Sequence, residues 1–275
     1  MIPILKRKLS RTIAAATLII LTAQAAGISQ AATIDPDRPT VLVTGANRGI
    51  GFAFAEYYVA AGWNVLAAVR TPERATELSA LANGYEHLVI EQLDVTDNKR
   101  IAELADRYRG TTIDVLINNA GVYGGLETQS WGSLDSETFK QVMAVNVFAP
   151  MKMAEAFADH VAASEQKKIV SITSGAGSVT REGRPGGGLI YEVSKAALNM
   201  SMRQIRAEVA EHGIIVALIA PGMVATDMLS VARPNLVANA QTPAESVAGI
   251  AAVIAGLDEN YDGRPRNYDG SVIPW

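Results

Sequence analysis

The chain lacks cysteine altogether and is poor in histidine, aromatic residues and charge. Its 275 residues include no Cys, three His, 6% aromatic and 19% charged residues. Without cysteine there can be no disulfide bond, thiolate metal site or cysteine nucleophile. The histidines are scattered along the sequence, at His87, His160 and His212, so we expect surface or core residues rather than metal ligands. The sequence therefore predicts neither a metal site nor thiol chemistry.

Positive charge is concentrated near the N-terminus. Lys6, Arg7, Lys8 and Arg11 all precede the first acidic residue, Asp35. The whole chain has a formal net charge of −4, so setting these four cations aside leaves −8 on the remainder. An acidic body without a basic run is not typical of nucleic-acid binding proteins. We expect no nucleic-acid partner.

Residues 1–31 have the pattern of a signal peptide. The basic cluster precedes an apolar stretch at 13–27, and two small-residue cleavage sites follow, Ala23-Gln24-Ala25 and Ser29-Gln30-Ala31. An uncleaved anchor is an alternative because the uncharged run 12–34 could just span a bilayer, and a mis-assigned start codon is another. With a cleaved signal the protein is expected to be exported, periplasmic or secreted, and otherwise cytoplasmic. A linker at 32–39 would then precede the catalytic domain at 40–275.

The body of the chain alternates between strand and helix patterns. With 49% hydrophobic residues it can bury one large core. Strands are predicted at 40–44, 65–69, 87–93, 113–117, 168–173 and 214–220. Helices are predicted at 49–61, 72–82, 97–109, 135–163 and 191–211, the second with Thr71 as cap and Pro72 as first residue. This alternation predicts an α/β fold: a single doubly wound Rossmann domain with a parallel sheet and helices on both faces.

A glycine-rich segment connects the first strand to the first helix. It reads Thr44-Gly45-Ala46-Asn47-Arg48-Gly49-Ile50-Gly51. Glycines at such a turn allow close backbone approach, and the helix N-terminus offers free N–H groups to a pyrophosphate. The spacing differs from the commoner dinucleotide fingerprint, so an ordinary strand–helix turn is the alternative at this stage.

A possible catalytic group lies later in the chain. Tyr191 and Lys195 are four residues apart at the start of a predicted helix, so they share one face. Ser174 follows a predicted strand, at the edge where open α/β sheets bind ligands. A neighbouring ammonium favours a phenolate, so Tyr191 could exchange a proton with a substrate oxygen that Ser174 holds. A core tyrosine beside a solvated lysine is the alternative for this pair in isolation.

Together these motifs resemble the short-chain dehydrogenase/reductase family, from about residue 40 to 275. Further matches are Asn118-Asn119-Ala120-Gly121, the helix residue Asn146, the turn Pro221-Gly222 with Thr226, and Asp94 in Leu93-Asp94-Val95. Within the family, the segment 146–150 and the chain ending 267–275 look like the C-factor/sniffer-like carbonyl reductases.

The resemblance implies an enzyme that interconverts a carbonyl and an alcohol on a small molecule of the aldehyde, ketone or quinone class. Tyr191 would be the acid/base, with Lys195 lowering its pKa and binding the nicotinamide ribose. Ser174 would orient the carbonyl, and Asn146 would hold a water in a proton relay. The expected cofactor contacts are Gly45, Asn47, Arg48, Gly49, Ile50, Gly51, Arg70, Asp94, Val95, Asn118, Ala120, Gly121, Tyr191, Lys195, Pro221, Gly222, Val224 and Thr226.

The expected cofactor is NADP(H). An NAD enzyme usually has an acid at the end of its second strand, but here that strand ends in Val69-Arg70. Arg48 and Arg70 could together bind a 2′-phosphate. An exported nucleotide-binding signalling or sensor protein with little turnover is the alternative function. The full catalytic set argues against it, because a sensor does not need those residues.

Three further expectations concern the surroundings of the site. The Gly- and Arg-rich segment 181–188 is expected to be either a loop over the substrate or a plain surface insertion. Residues 225–242 should cover an apolar pocket of unknown shape. Pro150 should free the carbonyl of Asn146 and kink the helix 135–163, unless it simply separates two helices.

A homodimer or homotetramer through the helices 135–163 and 191–211 is possible, as is a monomer.

Overall fold

The computed structural model describes residues 34–180 and 188–275. The predicted signal peptide, the first two residues of the predicted linker and nearly all of the segment 181–188 lie outside the described residues. Within the described part, no helix is both long enough and apolar enough to cross a membrane.

Seven parallel strands form one sheet. They are β1 Thr40–Thr44, β2 Asn64–Val69, β3 Leu88–Gln92, β4 Val115–Asn118, β5 Lys168–Ile172, β6 Ile215–Ala220 and β7 Arg266–Asn267. Their order is β3-β2-β1-β4-β5-β6-β7. The order reverses direction between β1 and β4, and open sheets of this kind bind ligands at that point, outside the carboxyl ends of the strands. The predicted doubly wound fold is confirmed.

Helices cover both faces of this sheet. They are α1 Gly49–Ala60, α2 Thr76–Ala82, α3 Asn98–Arg107, α4 Ser136–Met143, α5 Ala149–Ala162, α6 Leu189–Glu208, α7 Asp227–Ala232 and α8 Pro243–Ala255. Alternate strand residues point to opposite faces: Val41 and Val43 pack with α1 and α8, whereas Leu42 packs with α3, α5 and α6. Each face therefore has its own apolar core.

Side-chain caps fix where several helices begin. Asp97 accepts a hydrogen bond from the Arg100 amide at the start of α3, and Asp135 accepts one from Thr138 at the start of α4. At α8, Thr242 and Glu245 form a reciprocal capping box. Such caps satisfy backbone donors that a helix leaves unpaired, and each contributes about 1 kcal/mol.

Two predicted helices differ from the structure. The helix predicted at 72–82 is a 3₁₀ turn at Pro72–Arg74 followed by α2, and the Thr71 side chain caps neither. The backbone leaves the helical region at Ala75, whose side chain is buried against the sheet. Helix α6 begins two residues before Tyr191 and ends at Glu208, with a 3₁₀ turn after it. α7, α8 and β7 were not predicted from the sequence.

The helix predicted at 135–163 contains a π-helical segment, Ala144–Phe148, between α4 and α5. The backbone stays helical throughout, and the Ala149 amide donates to the carbonyl five residues earlier, at Ala144. Pro150 has no amide hydrogen, so the ordinary bond to the Asn146 carbonyl cannot form. The alternative of two separate helices is therefore wrong, and the disturbance that Pro150 predicts takes the form of a π segment, a feature often found at functional sites.

Candidate active site

The glycine-rich turn leaves the carboxyl end of β1 and enters α1. Gly45 and Gly49 have positive φ values of 68° and 55°, which favour glycine. A Cβ on Gly51 would lie 2.1 Å from the Gly45 carbonyl oxygen, so no side chain fits there. No side chain caps the start of α1, whose first amides remain available for an anion. This geometry is a cradle for a phosphate group.

Asn119 holds that turn in place. Its side chain donates to the carbonyl oxygens of Thr44 (2.9 Å) and Gly45 (3.3 Å). The Thr44 hydroxyl in turn accepts from the backbone amides of Asn119 and Ala120. The second asparagine of the motif therefore braces the cradle, a role that was not assigned from the sequence. The Asn118 side chain, by contrast, is buried and points toward Pro150 and Ser171, so only its backbone can face a nucleotide.

The two arginines expected at a 2′-phosphate, Arg48 and Arg70, are both exposed. Arg70 lies at the carboxyl end of β2, as predicted. Arg48 forms an ion pair with Asp227, the first residue of α7. This pair links the glycine-rich turn to the segment that covers the cleft. It was not predicted, because 179 residues separate its members.

Other expected nucleotide contacts lie along the same edge of the sheet. Asp94 forms a turn in which its carboxylate accepts from the amide and hydroxyl of Thr96. The Pro221 carbonyl accepts from Gln241 and Ser246, which fixes the turn after β6. Thr226 accepts from the Leu229 amide and caps α7. The positions surrounding the cleft are therefore rigidly tied to the sheet.

Tyr191, Ser174 and Lys195 converge as predicted. Tyr191 and Ser174 line one cavity at the carboxyl edge of the sheet. The Lys195 ammonium lies 5.7 Å from the centre of the Tyr191 ring and donates to the Ile172 carbonyl at 2.9 Å. Because Ile172 ends β5 just before Ser174, this bond fastens the catalytic helix α6 to the strand that carries the serine.

Burial has the largest effect on the pKa values of Tyr191 and Lys195. Burial raises the pKa of Tyr191 to about 12, although a hydrogen-bonding interaction with Ser174 opposes the rise. Burial also lowers the pKa of Lys195 to about 8. Lys195 is not among the groups that shift the pKa of Tyr191 here, so the lowering expected from Lys195 stays a prediction for the protein with its cofactor bound. The ammonium is itself desolvated, and it lies beside the ring and donates to Ile172.

Asn146 lies in the π segment, and its side chain is fully engaged. Its amide donates to the Val122 carbonyl (2.9 Å) and to the Ser194 hydroxyl (3.0 Å), and its oxygen accepts from the Val122 amide (2.8 Å). Ser194 donates in turn to the Tyr191 carbonyl at 2.7 Å. The side chain therefore connects the loop after β4 to the catalytic helix, and the backbone carbonyl, which Pro150 deprives of its usual donor, is the site expected for a relay water. Ser194 was missed, although a polar residue between Tyr191 and Lys195 on a buried helix face could have drawn attention to it.

Gln129 and Tyr123 also support Tyr191, and neither was predicted. Gln129 is completely buried; its oxygen accepts from the Tyr191 amide (3.0 Å), and its nitrogen donates to the Tyr123 carbonyl (2.8 Å). It therefore satisfies a free amide in the first turn of α6 from 62 residues away. The Tyr123 ring packs against that of Tyr191 with 5.0 Å between centres. No local pattern around Gln129 indicates this role.

Chemically, the arrangement provides a proton donor, a hydrogen-bonding hydroxyl and a buried ammonium beside a phosphate cradle. Among the described residues no cluster of three or more His, Asp or Glu side chains could hold a metal. The site is therefore suited to proton transfer at a substrate oxygen next to a bound nucleotide.

Comparison with known proteins places these features in context. A family model described as short chain dehydrogenase matches residues 39–236. The NADPH-bound carbonyl reductase from chicken fatty liver is 34% identical, with a TM-score of 0.77, and the match covers 86% of this chain and 100% of that one. A Burkholderia multivorans structure described as a short-chain dehydrogenase/reductase with bound NADP is also 34% identical, with a TM-score of 0.74 and the same coverage. The C-signal protein of Myxococcus xanthus is 34% identical over 167 residues, which are 59% of this chain and 93% of that protein.

Proposed function

The chain belongs to the short-chain dehydrogenase/reductase family, and from that premise we propose that it is an NADPH-dependent reductase of small-molecule carbonyl compounds. The observation that carries the proposal is the convergence of Tyr191, Ser174 and Lys195 beside the glycine-rich cradle. Aldehydes, ketones and quinones are the substrate classes that this chemistry can serve. The similarity to carbonyl reductases supports the same assignment.

The nucleotide site fits a dinucleotide. The cradle formed by Gly45, Gly49 and Gly51 accepts no side chain, and the uncapped start of α1 supplies amide donors for the pyrophosphate. When bound, NADPH supplies the hydride that reduces the carbonyl carbon. Lys195 would hydrogen-bond the nicotinamide ribose, and Thr226 lies in the segment expected to contact the carboxamide.

The chain's own residues manage the oxygen and its proton. Ser174 and Tyr191 hydrogen-bond the carbonyl oxygen and orient it in the cleft. As the carbon gains the hydride, the C=O π bond breaks and the oxygen takes the Tyr191 proton, so an alcohol and the oxidised cofactor result. The nearby Lys195 ammonium stabilises the phenolate that remains. A water on the Asn146 backbone carbonyl would return a proton from solvent.

The pKa of Tyr191 favours the reductive direction. With a pKa of about 12, the phenol is protonated at neutral pH and can act as an acid. Oxidation of an alcohol would require the phenolate as a base, which is scarce under those conditions. The protonation state of Tyr191 in the free protein therefore favours reduction.

The preference for NADPH rests on charge at the carboxyl end of β2. The strand β2 ends at Val69, without a following carboxylate that would accept hydrogen bonds from a ribose 2′-hydroxyl. Arg70 stands at that position, and Arg48 lies in the adjoining turn. The Arg48 side chain is 69% exposed, so it can exchange Asp227 for a phosphate with little desolvation cost. Both guanidiniums can then bind the 2′-phosphate.

The test is a screen of aldehydes, ketones and quinones with NADPH and NADH, followed by the fall in absorbance of the reduced cofactor. We expect turnover with NADPH and a preference over NADH of about 10- to 100-fold in kcat/KM, from charge-assisted hydrogen bonds. The Arg48→Ala, Arg70→Ala double variant should lose that preference. Equal kcat/KM for both cofactors would contradict the cofactor assignment. Cofactor binding without turnover of any carbonyl would favour a sensor.

A further inference from the structure

The active site contains a cavity of about 490 Å³, which extends from the expected nicotinamide contacts Pro221, Gly222 and Thr226 to the substrate side. One wall of the cavity is apolar: α7 and the segment after it contribute Met228, Leu229, Ala232 and Leu236. Tyr191 and Ser174 line the same cavity. An apolar substrate body can therefore lie along α7 while its carbonyl reaches the catalytic hydroxyls.

Two charged side chains interrupt this apolar lining among the described residues, Glu192 and Arg233. Arg233 directly follows α7 and is partly buried. Glu192 follows Tyr191 on α6. Within the described ranges 34–180 and 188–275, neither forms an ion pair. Among the described residues, both charges therefore lie at the cavity without an ion-pair partner.

Glu192 and Arg233 act differently on the two tyrosines that line the cavity. At Tyr123, the pKa is raised mainly by burial, but Arg233 is the strongest charge acting on it and opposes the rise more than Glu192 adds to it. At Tyr191, Glu192 contributes to the raised pKa, whereas Arg233 is not among the causes. Arg233 is therefore a charge that acts on Tyr123 but not on Tyr191, and the two rings line the same cavity with their centres 5.0 Å apart.

A guanidinium that has lost part of its hydration gains most from a planar anion that accepts two parallel hydrogen bonds. A carboxylate bound at Arg233 leaves the hydroxyls of Tyr191 and Ser174 to the neutral carbonyl, because all three residues line the same cavity. An anionic substrate would thus be oriented with its charge toward Arg233 and its neutral carbonyl toward Tyr191 and Ser174.

We propose that Arg233 binds a carboxylate on the carbonyl substrate, so that the preferred substrates are oxo acids with an apolar body between the two groups. This inference rests on the proposed carbonyl reduction and specifies its substrate class. Arg233 is a specificity-determining residue in this scheme and takes no part in hydride or proton transfer.

The test compares 4-formylbenzoate with its methyl ester, which differ in charge but present the same aldehyde. We expect the parent protein with NADPH to favour the acid by about 10-fold or more in kcat/KM. Arg233→Gln should reduce kcat/KM for the acid by about 10- to 100-fold and change that for the ester less than about threefold. Arg233→Glu should reverse the preference, and Arg109→Gln, at an exposed arginine outside the cavity, should change neither value.

Equal losses for acid and ester in the Arg233→Gln protein, or a parent preference for the ester, would overturn the assignment. A binding measurement separates this result from failure of the proposed function. Calorimetry with 4-(hydroxymethyl)benzoate and NADP⁺-saturated protein needs no turnover. Binding that Arg233→Gln abolishes supports the inference even if neither aldehyde is reduced, and binding that this variant leaves unchanged refutes it.

Discussion

At the residue scale, desolvation dominates the properties of Tyr191 and Lys195. Desolvation disfavours the charged form of both side chains, so it raises the pKa of Tyr191 and lowers that of Lys195, and the two values move apart. A protonated phenol and an ammonium that titrates near pH 8 result. These protonation states are consistent with proton donation by Tyr191 near neutral pH. Lys195 then has a different task, which is to stabilise the phenolate that forms.

Replacing Tyr191 with Phe tests the proton donor. The variant keeps the ring that packs against Tyr123 but loses the hydroxyl. We expect kcat for carbonyl reduction to fall about 10²- to 10⁴-fold, the usual contribution of a general acid, with the Kd for NADPH nearly unchanged. Steady-state kinetics and fluorescence titration of NADPH would measure the two quantities. Undiminished turnover would remove Tyr191 from the mechanism.

The pH dependence of reduction tests Lys195. Its pKa is lowered to about 8, so the ammonium is present below that pH and is lost above it, whereas Tyr191 stays protonated up to about pH 12. We therefore expect kcat/KM for reduction to decline as the pH rises through about 8. Lys195→Arg, whose guanidinium keeps its proton, should be slower but flat up to about pH 10. A decline at the same pH in that variant would show that another group is responsible.

Gln129 tests how Tyr191 is positioned. Gln129→Leu leaves the Tyr191 amide and the Tyr123 carbonyl without their buried partners, at a cost of about 1–3 kcal/mol for each group. We expect a lower Tm and a kcat reduced about 10-fold, with the Kd for NADPH retained because the cradle is elsewhere. Gln129→Glu keeps an acceptor for the Tyr191 amide and should recover part of kcat. Equal kcat in the two variants would indicate a purely structural role.

At the element scale, the sequence predicted the elements that carry motifs better than those that do not. The turn into α1 and the helix with Tyr191 and Lys195 were recognised from residue types at fixed spacing. α8 was missed because its sequence, PAESVAGIAAVIA, is apolar or small on nearly every side and has no clear 3.6-residue period. Contacts between distant elements, such as Gln129 with Tyr191, leave no local pattern at all.

Pro150 and the π segment provide a test at this scale. Pro150→Ala restores an amide that can donate to the Asn146 carbonyl and return the helix to ordinary geometry. A new hydrogen bond contributes about 0.5–1.5 kcal/mol, while the greater freedom of the unfolded chain removes about 0.4–1 kcal/mol, so we expect a small net gain in Tm. If the Asn146 carbonyl holds the relay water, kcat should fall and its pH profile should change, with the Kd for NADPH unaffected. Unchanged kcat and pH profile would leave only the Asn146 side chain with a role.

At the scale of the whole molecule, the described part of the predicted linker is not a free tether. The Asn64 side chain, at the start of β2, accepts from the Asp35 amide and donates to the carbonyl oxygens of Asp35 and Arg38. These bonds fasten the chain to the sheet immediately before β1. The described chain is therefore anchored to the sheet from Asp35 onward.

Whether residues 1–31 are removed from the mature protein can be tested directly. We propose that they are a signal peptide, so the mature protein should begin near Ala26 or Ala32 and be recovered outside the cytoplasm. The segment has no twin-arginine pair, only Lys6-Arg7, so export before cofactor binding is the expected route. The intact mass of the native protein from each cell fraction would show the N-terminus. A variant lacking residues 2–31 should fold in the cytoplasm and bind NADPH with the Kd of the mature protein, because every proposed site residue lies after Pro39. Native protein that retains Met1 in a soluble cytoplasmic fraction would instead show that the segment is not a signal peptide.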